Sequence, residues 1–114
     1  MAESRLKIML IGGDETLTYL IGRFAEQSGS ELTSLSTAPT AEEACGLRPA
    51  VMLFASIERL ETAQSLISEL ANCEIPVLVC SSVADETRAR EMGADHCLAQ
   101  PLTYDGFLAA LQLQ

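Results

Sequence analysis

Lys7-Ile8-Met9-Leu10-Ile11 runs straight into Gly12-Gly13-Asp14. A stretch that is apolar at nearly every position and closed by glycine reads as a strand covered on both faces, as in a parallel sheet. An amphipathic stretch follows at once. Leu17, Leu20, Ile21 and Phe24 recur at helical spacing, and the stripe reaches Ser28-Gly29. Gly29 falls where a helix end favours a left-handed residue. Asp14 stands where a carboxylate can cap the first turn and meet the positive end of the helix dipole.

The same alternation recurs outward from this unit. Residues 31–36 alternate with polar side chains, the pattern of a sheet edge, and Thr40 caps a short helix through Glu42, Glu43 and Ala44. Pro49 introduces a second apolar run, Ala50-Val51-Met52-Leu53-Phe54-Ala55, and Leu60, Ala63, Leu66, Ile67 and Leu70 line one further helix face. Pro76-Val77-Leu78-Val79-Cys80 is the third apolar strand, closed by Ser81-Ser82. A short charged helix is predicted over 85–92 and stopped by Gly93. His96-Cys97-Leu98-Ala99 is a last strand, and Tyr104, Phe107, Leu108 and Leu111 line a final helix.

Strands alternating with helices imply right-handed crossovers and a parallel sheet. The expected class is α/β: a flavodoxin-like (βα)5 three-layer sandwich with strand order 2-1-3-4-5. With 114 residues and no linker, repeat or low-complexity stretch, the chain reads as one domain with its core over about residues 6–113.

Charge restricts the partners. Sixteen acidic against seven basic residues leave a net charge of −9, which repels phosphate backbones and anionic lipid heads, so direct nucleic-acid or membrane binding is not expected. No apolar run approaches the roughly 20 residues that span a bilayer. Met1-Ala2-Glu3-Ser4-Arg5 lacks the apolar region of a signal peptide, and the expected location is the cytoplasm. Cys45, Cys73, Cys80 and Cys97 form no C-x-x-C pair, and all four are expected to be free thiols. His96 and Cys97 are neighbours on a strand, face opposite ways and cannot easily share a metal.

In such folds ligands sit beyond the carboxyl ends of the strands. That rim offers Gly12, Gly13 and Asp14 from the first strand and Ala55 and Ser56 from the third. The fourth adds Ser81 and Ser82, and the fifth adds Gln100 before Pro101. Here the chain resembles the receiver domain of two-component response regulators, over residues 6–111. Ile75-Pro76-Val77-Leu78-Val79-Cys80-Ser81-Ser82 is similar to that family's fourth strand and hydroxyl residue. Gly93-Ala94-Asp95 followed by Gln100-Pro101 resembles its G-A-D…K-P signature, and Pro49 before the third strand fits as well.

The resemblance also marks what is missing. Receivers hold a magnesium ion with an acidic pair after the first strand, and those positions fall on Gly12 and Gly13. The phosphoryl-accepting aspartate falls on Ala55 and the partner lysine on Gln100; only the hydroxyl position is kept, as Ser81. Magnesium asks for hard carboxylate and water oxygens, which two glycines and an alanine do not offer. Ala55 supplies no nucleophile for an acyl phosphate, and Gln100 supplies no counter-charge. The family's aromatic switch residue on the fifth strand is replaced by the small Cys97. The expectation is therefore no bound magnesium, no cofactor and no enzymatic phosphoryl transfer.

Other readings of the same residues are narrower. Asp14 with Glu58 could form a weak cation site, or both could be solvated carboxylates. Gly12-Gly13-Asp14-Glu15 partly repeats the G-G-[DE]-E-F signature of diguanylate cyclases, but Thr16 stands where that signature has Phe. No P-loop lysine or G-x-G-x-x-G accompanies the glycines. The emptied rim could instead serve a small-ligand sensor. Receivers also bind partners or dimerise through the face carrying, here, Arg88, Arg90, His96 and Tyr104; Tyr and Arg are enriched at binding hot spots. The resemblance thus implies a degenerate receiver acting by contact with a protein partner, an adjacent output domain or a second copy of itself.

Overall fold

Two-sided burial organises the sheet. The computed structural model describes residues 6–99 and 102–112. It contains strands β1 (Lys7–Ile11), β2 (Glu31–Leu35), β3 (Val51–Phe54), β4 (Val77–Ser81) and β5 (His96–Ala99), all parallel, in the order β2-β1-β3-β4-β5. Every residue of β3 and β4 is buried, as is β1 from Ile8 onward, whereas β2 at the edge is largely exposed. The five-strand order and the polar edge match the expectation from the sequence.

Alternate side chains feed two cores. Met9, Ile11, Met52, Phe54, Val77 and Val79 face α2 (Ala41–Leu47), α3 (Ile57–Thr62), α4 (Gln64–Leu70) and α5 (Glu86–Glu91). Ile8, Leu10, Val51, Leu53, Leu78 and Cys80 face α1 (Glu15–Ser28) and α6 (Tyr104–Gln112). On this second side Phe24 packs its ring against Phe107 at 5.5 Å and Tyr104 at 5.7 Å between centroids.

Local chemistry sets the helix ends. Asp14 Oδ1 accepts from the Leu17 amide at 2.7 Å, and Gly29 closes α1 with φ of 74°. Thr40 and Glu43 form a reciprocal capping box at the start of α2, with bonds of 3.1 and 3.0 Å. The stripe from Leu60 to Leu70 is not one helix, however. At Ala63 the amide reaches only three residues back, to the Leu60 carbonyl, and the Gln64 side chain binds that same carbonyl and the Met92 carbonyl. The helix restarts there, while the apolar stripe stays on the core side. The helix expected over 85–92 likewise opens with a 3-10 turn, Val83–Asp85, because the Asp85 carboxylate bonds the Ser82 hydroxyl instead of capping α5.

One expectation about the cysteines is corrected. Cys45 and Cys73 are joined in a disulfide, with their Cα atoms 6.0 Å apart. They lie 28 residues apart in sequence, and only the side-by-side packing of α2 and α4 brings them together, so no short-range cysteine motif announces the pair. A loop of that length corresponds to about 3–4 kcal/mol of restriction on the unfolded chain. Cys80 and Cys97 remain free. Among the described residues, no helix is long and apolar enough to cross a membrane.

Cys80 is buried in the α1/α6 core, and burial pushes its thiol up to about 12 from an ordinary value of 9.0. The folded state keeps the proton through a pH range in which the unfolded thiol loses it. Its contribution is complete below about pH 9 and is lost as pH rises toward about 12. Urea unfolding between these pH values is expected to show declining stability, with a visibly shallower decline in Cys80→Ala.

Candidate functional site

The carboxyl ends of β1, β3 and β4 converge on one rim. Gly12 leaves β1 with φ of +78° and donates its amide to the Leu35 carbonyl of β2 at 2.7 Å. Glycine takes that left-handed turn without the cost a side chain would bring. Gly13 is tight for another reason: a Cβ there would lie 2.8 Å from Thr18 Oγ1 and 2.9 Å from Leu10 Cδ2. Ala55, half-buried, donates its amide to the Ile11 carbonyl at 3.0 Å, which sets it beside the end of β1. Ser56 caps α3, its Oγ accepting from the Arg59 amide at 3.3 Å.

Ser81 ends β4 on the same face as Val77 and Val79 by strand alternation. It is only 6% exposed, and its hydroxyl has no hydrogen-bond partner among the described residues. The structure therefore gathers Gly12, Gly13 and Ala55 on adjacent strands, with Ser81 one strand further along. Asp14 is turned into the first turn of α1, as an N-cap. Glu58 is exposed in the first turn of α3. Gln100 and Pro101 lie outside the described residues.

Arg59 is the rim residue that the sequence reading missed. A Cβ built on Gly12 would sit 2.5 Å from Arg59 Nε and 2.7 Å from its Cδ, so the arginine side chain lies directly across the glycine. Its position one turn into the helix capped by Ser56 was the available signal. A side chain leaving α3 there can fold back over the end of β1.

This donor set does not fit a divalent cation. The positions beside it are two glycines and an alanine, Asp14 already accepts a helix amide, and the charged group lying over Gly12 is itself a cation. Among the described residues, no group of three or more His, Cys, Asp or Glu is placed to hold a metal ion.

The four residues expected to form an interaction face are partly committed elsewhere. Arg88 Nη2 donates to Glu61 Oε2 at 2.9 Å, tying α5 to α3 in an exposed ion pair worth roughly 0.2–1 kcal/mol. Arg90 bonds the Asp95 carbonyl at 3.0 Å and Glu86 at 3.4 Å. Tyr104 is half-buried against Phe24. His96 is half-buried and lines a cavity of about 560 Å3 with Ile67, Gly93 and Asp95, at the amino ends of β4 and β5. That cavity lies at the opposite end of the sheet from the rim.

Two substitutions check this geometry. Gly12→Ala forces a side chain into the left-handed region and against Arg59, and is expected to destabilise the domain by about 1–2 kcal/mol in urea unfolding. Ser81→Ala removes a buried hydroxyl that has no partner, so it is expected to leave stability unchanged or raise it by about 1 kcal/mol. A clear loss in the second variant would mean that the hydroxyl is bonded.

No protein-family model and no curated protein matches the sequence. Solved structures do match. The signal receiver domain of a response regulator from Bermanella marisrubri superposes with a TM-score of 0.75 at 20% identity, covering 96% of this chain and 97% of that one. The chemotaxis protein CheY4 of Vibrio cholerae gives a TM-score of 0.72 at 15% identity, covering 96% and 98%. Full-length FixJ from B. japonicum gives 0.72 at 16% identity, with 97% of this chain matched to 58% of that protein. The chain has the CheY-like fold of a response-regulator receiver domain.

Proposed function

We propose that this chain is a degenerate receiver of a two-component signalling pathway, working in the cytoplasm through protein–protein contact and without phosphoryl transfer. The contact of Arg59 with Gly12 carries this reading. A working receiver needs negative oxygens there to hold its metal, and here the positively charged Arg59 side chain lies across the first of those positions. Ala55 adds no nucleophile for an acyl phosphate.

With no covalent trigger, only a ligand that binds two conformations unequally can shift the balance between them. A partner protein or an adjoining output domain fits that role. In full-length FixJ the matched part is 58% of the chain, which supports an arrangement with a neighbouring domain in a longer protein. The −9 net charge favours a partner with a basic surface.

Incubation with Mg2+ and acetyl phosphate, followed by intact-mass measurement, tests this reading. The mass is expected to stay unchanged, and amide resonances of Gly12, Ala55 and Ser81 are expected to ignore Mg2+ and beryllofluoride. A phosphoryl adduct, or saturable shifts at those amides, overturns the proposal.

A further inference from the structure

We infer that the Cys45–Cys73 bridge is a reversible thiol–disulfide exchange site whose reduction releases α2 from the body of the domain. The inference does not depend on the receiver reading. Both cysteines are partly exposed, and they line a cavity of about 310 Å3 together with Arg48, Pro49, Glu74 and Ile75. An incoming thiolate therefore has a way in. Arg48 puts a cation on the wall of that cavity, which favours both the approach of an anionic sulfur and the thiolate it displaces.

The backbone beside the bridge is the second observation. Arg48, with φ of 50°, and Glu74, with φ of 58°, are the non-glycine residues in the left-handed region among the described residues. One closes α2 three residues past Cys45, and the other directly follows Cys73. Strained conformations persist where surrounding structure imposes them, and here both sit at the two anchor points of one covalent link.

The third is how little else holds α2. The helix has seven residues, of which Ala44 alone is fully buried, and its capping box is internal to it. The bridge is its covalent tether, to the 3-10 turn Ala71–Cys73 that follows α4. Cys80 takes no part, because it is buried and its thiol stays protonated, and Cys97 is a half-buried thiol with no disulfide to exchange.

The reaction uses a dithiol or glutathione-class reductant. Its thiolate forms a bond to one bridge sulfur as the Cys45–Cys73 bond breaks, and the other cysteine leaves as a thiolate and takes up a proton. A second reductant thiolate then attacks the mixed disulfide, yielding the second cysteine thiol and the oxidised reductant. Two electrons pass from reductant to protein. In a reducing compartment, where permanent disulfides are rare, a bridge of this kind reports the thiol balance.

The test equilibrates the native chain in graded mixtures of reduced and oxidised glutathione, quenches it with a maleimide and maps the label by peptide mass. Hydrogen exchange is measured on both end states. Cys45 and Cys73 are expected to become labelled together while Cys80 stays unlabelled. Amides of α2 are expected to exchange at least about tenfold faster in the reduced form, with β1, β3 and β4 unchanged. Cys45→Ser/Cys73→Ser is expected to match the reduced form in every buffer. The inference is overturned if the bridge never forms in the oxidising mixtures or resists the most reducing one. It is equally overturned if reduction strips protection from the whole sheet, or if α2 in the double variant is as protected as in the oxidised chain.

Discussion

A strand with no solvent-facing side can exist only between two covering layers, and β1, β3 and β4 are such strands almost throughout. This constraint generates most of the architecture. Parallel neighbours need crossovers, the crossovers become helices, and the helices must divide between the two faces that the strands present. Met52 and Leu53, adjacent in sequence, therefore belong to different cores, one roofed by α2 to α5 and the other by α1 and α6. All strands run the same way, so their carboxyl ends open onto one rim. Whatever chemistry such a domain performs there is set by the few residues after each strand.

At this rim the residues after β1 serve geometry. The left-handed turn at Gly12 lets its amide reach the Leu35 carbonyl and bind the edge strand to the centre. Gly13 leaves space for Leu10 and Thr18. A carboxylate at Gly12 would meet both a left-handed backbone and the Arg59 side chain, and one at Gly13 would crowd Leu10 and Thr18.

Much of the fold was legible because it rests on short-range patterns. The unbroken run from Ile8 to Ile11, the helical spacing from Leu17 to Phe24, and the caps at Asp14 and Thr40 each depend on residues within a few positions. The rim glycines were legible too, through their place after a strand. Arg59 was not, since its role depends on how a side chain folds back from α3 over β1. The Cys45–Cys73 pair was hidden by its 28-residue separation, and the break at Ala63 by a contact from Gln64 to Met92, distant in sequence. In each case the pattern was local and the exception was tertiary.

Both helical layers pack on apolar cores, but α2 is attached differently from the other helices. The α1/α6 side is fastened by interlocked aromatic rings, with Phe24 against both Tyr104 and Phe107. Such contacts are spread over a large apolar area, and no single event removes them. On the opposite side, α2 contributes one fully buried alanine and a covalent link. A bond can be opened in a single chemical step, whereas a packed core cannot. At the end of the sheet opposite the rim, α2 is thus held by a covalent link as well as by packing.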